Sequence, residues 1–157
     1  MAPSQAFIGL GSNLGDRKAY LTWGLEQLNA LPDTKVSRVS QWYETEPVGG
    51  PPQGMYLNGV AELQTTLAPE ALLQHLQQIE QQIGRPKDHQ HWGPRVMDLD
   101  LLSYDKLILE TPELTVPHPR MHRRRFVLVP LAEIAPDWVH PKLGKTVGVI
   151  LNEVKDL

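Results

Sequence analysis

An α+β fold, a mainly antiparallel sheet with helices packed on it, is the class this sequence predicts. Three observations carry it: apolar stripes at helical spacing, apolar runs with two-residue alternation, and the order in which they follow one another. Ala6-Phe7-Ile8-Gly9-Leu10 reads as a short buried strand. A helix follows Asn13-Leu14-Gly15-Asp16, with Leu21, Leu25 and Leu28 spaced i, i+4, i+7, and stops at Leu31-Pro32. Val36 to Tyr43, rich in Val, Ser, Trp and Tyr, predicts a strand. Glu46 to Gly54 is a loop by its Gly and Pro content, and Met55 to Thr65 is a further strand. In that strand Met55, Leu57, Ala61 and Leu63 share one face, while Tyr56, Asn58 and Glu62 share the other. Pro69 suits a first helical position and Glu70 a first turn; Leu72, Leu76, Ile79 and Ile83 then form a stripe closed by Gly84. Arg85 to Pro94 is polar loop, and Val96 to Leu102 is a strand. Strand-helix-strand-strand-helix-strand is the order of the ferredoxin-like sandwich. From Tyr104 onward the sequence predicts Pro-rich loops, a short helix near Val127–Ile134 and a C-terminal helix.

Composition narrows the function classes. The 157 residues, 41% of them hydrophobic, suit one domain over residues 1–157 with a real core. No apolar run is long enough to span a membrane, and the first residues lack a basic segment followed by an apolar one, so neither span nor secretory leader is expected. With no cysteine there are no disulfides, thiolate metal sites or Cys nucleophile, which fits a cytoplasmic protein. A net charge of -3 is a poor field for nucleic acid. In the absence of a long exposed apolar stripe a monomer is expected.

The sharpest chemical feature is Asp98-Leu99-Asp100. Alternation points both carboxylates one way, while Met97, Leu99 and Leu101 face the core. Two carboxylates so close repel unless a cation joins them, and their hard oxygens suit Mg²⁺, which borrows further ligands from a phosphate substrate. The plainer alternative is a solvent-facing strand with two scattered acids. Arg95 precedes the pair, Arg85 follows the helix closed by Gly84, and Arg120, Arg123, Arg124 and Arg125 cluster later with His118 and His122. Alone they are a solvated basic face or a nucleic-acid patch; beside an acidic pair they point to a polyphosphate nucleotide. Gly9-Leu10-Gly11-Ser12-Asn13-Leu14-Gly15-Asp16 could present backbone N–H groups to an anion, but a tight turn with an N-cap accounts for it as well. Tyr56 and Asn58 offer a ring surface beside an amide, suited to a planar heterocycle, or are a surface Tyr and a turn Asn. Trp92 opens a rigid segment before the acidic strand or acts as a core lid, and His89 and His91 lie in polar loop. No acyl-transfer elbow or HExxH motif is present. The residues alone thus reach a Mg²⁺-dependent enzyme on a nucleoside polyphosphate, with a flat second substrate. Another Mg²⁺-dependent transferase and a silent nucleotide- or RNA-binding domain remain open.

Trp92-Gly93-Pro94-Arg95-Val96-Met97-Asp98-Leu99-Asp100-Leu101-Leu102 resembles the signature of the 6-hydroxymethyl-7,8-dihydropterin pyrophosphokinases of folate biosynthesis. Gly9–Asp16, Tyr43–Gly49, Val116–Met121 and Phe126–Pro136 agree with it in order. The resemblance implies a ferredoxin-like fold and transfer of pyrophosphate from ATP to the pterin hydroxymethyl group, releasing AMP. It implies that Asp98 and Asp100 hold two Mg²⁺ ions and that Arg85 and Arg95 act with them on the phosphates. Gln77, Glu80, Trp92, Leu101, Thr115, His118 and Arg124 would bind ATP. Tyr56 and Phe126 would sandwich the pterin, with Thr45 and Asn58 reading its polar edge. One departure stands out: after Arg85 only Lys87 is basic, among Pro86, Asp88, His89 and His91, which predicts a weaker, more pH-sensitive grip of that loop on phosphate.

Overall fold

The computed structural model describes residues 2–46, 55–83 and 96–154. Strand β1 (Ser4–Ser12) leads through helix α1 (Arg17–Asn29) to β2 (Thr34–Val39) and β3 (Tyr43–Thr45); β4 (Tyr56–Thr65), α2 (Pro69–Gln82) and β5 (Asp98–Tyr104) follow. The sheet runs β2-β4-β1-β5, with β3 also on β4, and all of these pairings are antiparallel. This is the ferredoxin-like arrangement, in which each helix crosses over one intervening strand. Beyond β5 come a small ladder of β6 (Leu109–Glu110) and β7 (Thr115–Val116), a 3₁₀ turn at Met121–Arg123, α3 (Arg125–Ile134) and α4 (Val147–Glu153). No helix among the described residues is long and apolar enough to cross a membrane.

Alternation in β1 explains why the sheet is covered on both sides. Ala6, Ile8 and Leu10 join Leu21, Leu28, Leu72, Leu76 and Ile79 in one apolar cluster under α1 and α2. Phe7, pointing the other way, joins Val60, Leu102, Val127, Leu131 and Ile150 in a second cluster under α3 and α4. The face that carries Tyr56, Asn58 and Glu62 is therefore no simple polar face but half core. Glu62 is only 3% exposed there. It accepts from Gln5 Nε2 (2.7 Å), Ser37 Oγ (2.6 Å) and Arg38 (2.9 Å), so its burial is compensated.

α1 begins at Asp16, whose carboxylate accepts from the Ala19 N–H at 3.2 Å, behind Gly15 with φ of 70°. The glycine-rich turn is thus built as a tight turn with an N-cap. The run Val36 to Tyr43 is not one strand: pairing stops after Val39 and resumes at Tyr43. Ser40 causes the break, because its N–H donates to the Val60 carbonyl and its Oγ accepts from the Val60 N–H, both at 2.9 Å. The Trp42 ring then fills the space over Gly59, where a Cβ would stand 2.5 Å from the ring. The acidic strand begins at Asp98 rather than Val96 and runs on to Tyr104. The β6–β7 ladder arises within what the sequence reads as Pro-rich loop. The loops expected over 47–54 and 85–94, with Gly84, lie outside the described residues.

Candidate active site

Cross-strand register builds the site. Tyr43 stands opposite Asn58, Asn58 opposite Gly11, and Gly11 opposite Asp98. One step along, Val60 faces Gly9 and Gly9 faces Asp100. Opposed residues share a face, so the sheet presents Asn58, a bare central strand and the two carboxylates in one row. The gap is a close fit: a Cβ on Gly11 would stand 2.7 Å from Asn58 Oδ1 and 3.5 Å from Tyr56 Cδ1. Thr45 is paired with Tyr56, and its Oγ1 accepts from Asn58 Nδ2 at 2.5 Å. Tyr56, Asn58 and Thr45 thus form one group beside the glycine gap. This gap escapes a reading of single strands, although glycines at i and i+2 within an apolar strand are the trace it leaves.

α3 covers this face and brings Phe126 and Arg124. The Arg124 guanidinium lies 5.3 Å from the Phe126 ring centroid. Burial and the neighbouring Arg120 hold the Arg124 pKa below its ordinary value, while Asp100 works against them. His118 is next to Arg124. Burial first, then Arg124 and Arg120, pull its pKa down to about 4, so it is neutral near pH 7. Its Nδ1 accepts from the Arg120 N–H at 3.2 Å, which leaves the proton of the neutral ring on Nε2. Thr115 and His118 line a cavity of about 410 Å³ that also meets His122, His140 and Lys142.

The described residues assigned to ATP come from several elements. Gln77 is exposed on α2, while Glu80 is buried and accepts from the Leu99 N–H of β5 at 2.8 Å. Leu101 packs in the cluster under α1 and α2, on the opposite sheet face from Asp100. The arginine cluster also divides: Arg125 donates to the Val154 carbonyl at 3.1 Å, and Arg124 turns to Phe126 and Asp100. Arg85, Trp92 and Arg95, with Lys87, His89 and His91, lie outside the described residues. Among those described, no group of three or more His, Cys, Asp or Glu side chains is placed to hold a metal. Asp98 and Asp100 nonetheless fit a hard cation in the manner of Mg²⁺, which takes few protein carboxylates and completes its shell with water and phosphate oxygens.

Two residues that the sequence did not single out complete the surroundings. Arg17 of α1 donates to Glu44 (2.6 Å) and to the Met55 carbonyl (2.9 Å). Glu133 of α3 accepts from the Tyr43 hydroxyl at 2.5 Å.

Residues 7–136 match the family model described as 7,8-dihydro-6-hydroxymethylpterin-pyrophosphokinase (HPPK). The chain is 46% identical over 149 residues to the 2-amino-4-hydroxy-6-hydroxymethyldihydropteridine pyrophosphokinase of Synechocystis, with 95% of this chain and 75% of that one covered. To the enzyme of the same name from Bacillus subtilis it is 48% identical over 129 residues, 82% of this chain and 77% of the other. A crystal structure of Plasmodium falciparum HPPK-DHPS with pteroate superposes with a TM-score of 0.76 at 14% identity, over 98% of this chain and 43% of that chain. That likeness is one of fold, and this chain spans less than half of that longer one. The match along most of its length, and its identity to these relatives, establish that the chain belongs to the 7,8-dihydro-6-hydroxymethylpterin-pyrophosphokinase family.

Proposed function

We propose that the chain, acting as one domain, transfers pyrophosphate from ATP to the hydroxymethyl oxygen of 6-hydroxymethyl-7,8-dihydropterin in folate biosynthesis. The observation that supports this reading is the row Asn58–Gly11–Asp98, with Asp100 beside it, which sets an amide and a pair of carboxylates on one sheet face across a bare strand. The pterin hydroxyl oxygen bonds to the β-phosphorus, the bond from that phosphorus to the oxygen shared with the α-phosphate breaks, AMP leaves, and the hydroxyl proton passes to solvent. In-line positioning and charge neutralisation do most of the work in such a transfer.

Asp98 and Asp100 would hold Mg²⁺, two ions by the family resemblance; when bound, the metal neutralises phosphate charge and polarises the reacting oxygens. Phe126 and Tyr56 take the two faces of the pterin ring, while Asn58 and Thr45 bond its polar edge. Arg124 supplies fixed positive charge next to Asp100. Neutral His118 donates its Nε2 proton to a phosphate or ribose oxygen, and Thr115 lines the adjoining cavity. Gln77, Glu80 and Leu101 shape the nucleotide side of β5. Arg85, Arg95 and Trp92 act on the triphosphate by family resemblance alone. The same reading makes the protein a cytoplasmic monomer with small-molecule partners and no membrane or nucleic-acid partner.

Product analysis by mass spectrometry tests the reaction. Protein, ATP, Mg²⁺ and the pterin should yield AMP and a pterin diphosphate, lost with EDTA. ADP with a pterin monophosphate would make this an ordinary kinase, and no product from folded, ATP-binding protein would remove the enzyme reading. Asp98→Ala and Asp100→Ala should each lower kcat by about a thousandfold or more while circular dichroism stays unchanged. Full turnover in either variant would refute the metal role.

A further inference from the structure

Glu133 joins the elements that carry the residues assigned to the pterin. It sits on α3, the helix that carries Phe126 near its start. The Tyr43 hydroxyl donates to its Oε1 at 2.5 Å, and the Gln41 N–H lies 3.0 and 3.1 Å from its two oxygens. Tyr43 opens β3, whose three residues pair with Asn58, Leu57 and Tyr56 of β4. Such a short strand has little pairing of its own to fix it. Its other described side-chain ties are Arg17 on Glu44 and Asn58 on Thr45.

The C-terminal end of α3 has a separate anchor. The Arg38 guanidinium donates to the Ile134 carbonyl and to buried Glu62. Removing the Glu133 carboxylate therefore unties β3 from α3, while β3 keeps its pairing with β4 and the helix keeps its own anchor.

We propose that Glu133 is a positioning residue for the flat substrate. By pinning Tyr43 and Gln41 to α3, it sets Thr45, with its partner Asn58, at a fixed distance from Phe126. Ring face and ring edge are then read from one rigid frame, so the pterin meets a site already ordered. This rests on the assignment of Thr45, Asn58 and Phe126 to the pterin.

The test titrates 6-hydroxymethylpterin into full-length protein holding Mg²⁺ and a non-hydrolysable ATP analogue, and titrates the analogue separately. In Glu133→Ala the pterin Kd should rise about five- to tenfold, the loss of a charge-assisted hydrogen bond that preorders the site, with nucleotide affinity unchanged. In the assay of the reaction, KM for the pterin should rise by the same factor and kcat should hold, the signature of lost binding rather than lost chemistry. Glu133→Gln, which keeps an acceptor for Gln41, should recover most of the affinity. Adding Tyr43→Phe to Glu133→Ala should change nothing further. Amide exchange at residues 43–45 should quicken in Glu133→Ala while that of α3 holds. A lower Tm with unchanged pterin Kd would make Glu133 a purely structural residue and overturn the proposal, as would equal losses for pterin and nucleotide. Absence of pterin binding in the unmodified protein would overturn the functional reading itself, and this proposal with it. Normal binding in that protein that Glu133→Ala leaves intact would overturn this proposal alone.

Discussion

At the scale of single residues, the site depends as much on an absent side chain as on those present. Gly11→Ala would place a methyl 2.7 Å from Asn58 Oδ1, inside contact distance of the amide that bonds Thr45. Because the clash is with a flexible side chain and not with backbone, the fold should survive. The amide should rotate off Thr45, and pterin affinity should fall about tenfold, the worth of one well-placed hydrogen bond to a ligand. Isothermal titration beside a melting curve checks both halves; an unchanged pterin Kd would show that Asn58 does not read the ring edge. The Asp98/Asp100 pair was legible because alternation lies within one strand. The role of Gly11 was not, because it depends on which residues of β4 and β5 stand beside it, and alternation within a strand carries no register.

At the scale of elements, β5 holds its place through an acid on a neighbouring helix. Its buried Leu99 N–H donates to Glu80 of α2, itself 7% exposed. Glu80→Ala would leave a buried donor unpaired, which costs about 1–3 kcal/mol. That lowers Tm by roughly 2–12 °C in a domain of this size, and Glu80→Gln should recover most of it by keeping an acceptor. Differential scanning calorimetry decides; an unchanged Tm in Glu80→Ala would mean that water replaces the carboxylate. Leu72, Leu76 and Ile79 announced which face of α2 is buried, and Glu80 beside Ile79 lies at the border of that stripe. Nothing in the pattern showed that it would turn inward, because the N–H that draws it in belongs to a strand far along the chain. The break at Ser40–Trp42 was hidden for a similar reason: residues with high strand propensity continue through it, and the interruption comes from Val60 and Gly59 on the facing strand.

At the scale of the whole molecule, acid should unfold the protein through its histidines before its carboxylates. Burial, then His122 and Lys142, pull His140 down to about 4, and His118 is held at about 4 by burial and nearby arginines. Unfolded chains bind those protons near pH 6.5, so between about 6.5 and 4 the unfolded state holds more protons and stability rises with pH. Their contribution is complete above about pH 6.5 and is lost on acidification to about 4. Glu62 follows a lower window. Burial alone would raise its pKa, but Arg38, Ser37 and Gln5 hold it below its ordinary value, so its contribution is lost only in stronger acid. Tm should therefore fall by about 5–10 °C between pH 7 and 4.5. The Nδ1 of His140 accepts from the Lys142 and Leu143 N–H groups at 3.2 and 3.3 Å, an acceptor role that an asparagine oxygen can fill. His140→Asn should thus lessen the slope of Tm against pH, leaving the shares of His118 and of His122, whose pKa burial also lowers; an undiminished slope would place the titration elsewhere.

The row Asn58–Gly11–Asp98 spans three strands of one hydrogen-bonded sheet. Neighbouring strands lie about 4.8 Å apart, so the separation between amide and carboxylate comes only in whole strand widths. The protein carries a ruler with one graduation. No drift of a loop or rotation of a helix can adjust the two halves of the site by a fraction of that unit, and a slip of either outer strand by one residue would turn its contribution to the far face. Variation along this fold can change what is read at either end of the ruler while the length between them stays constant.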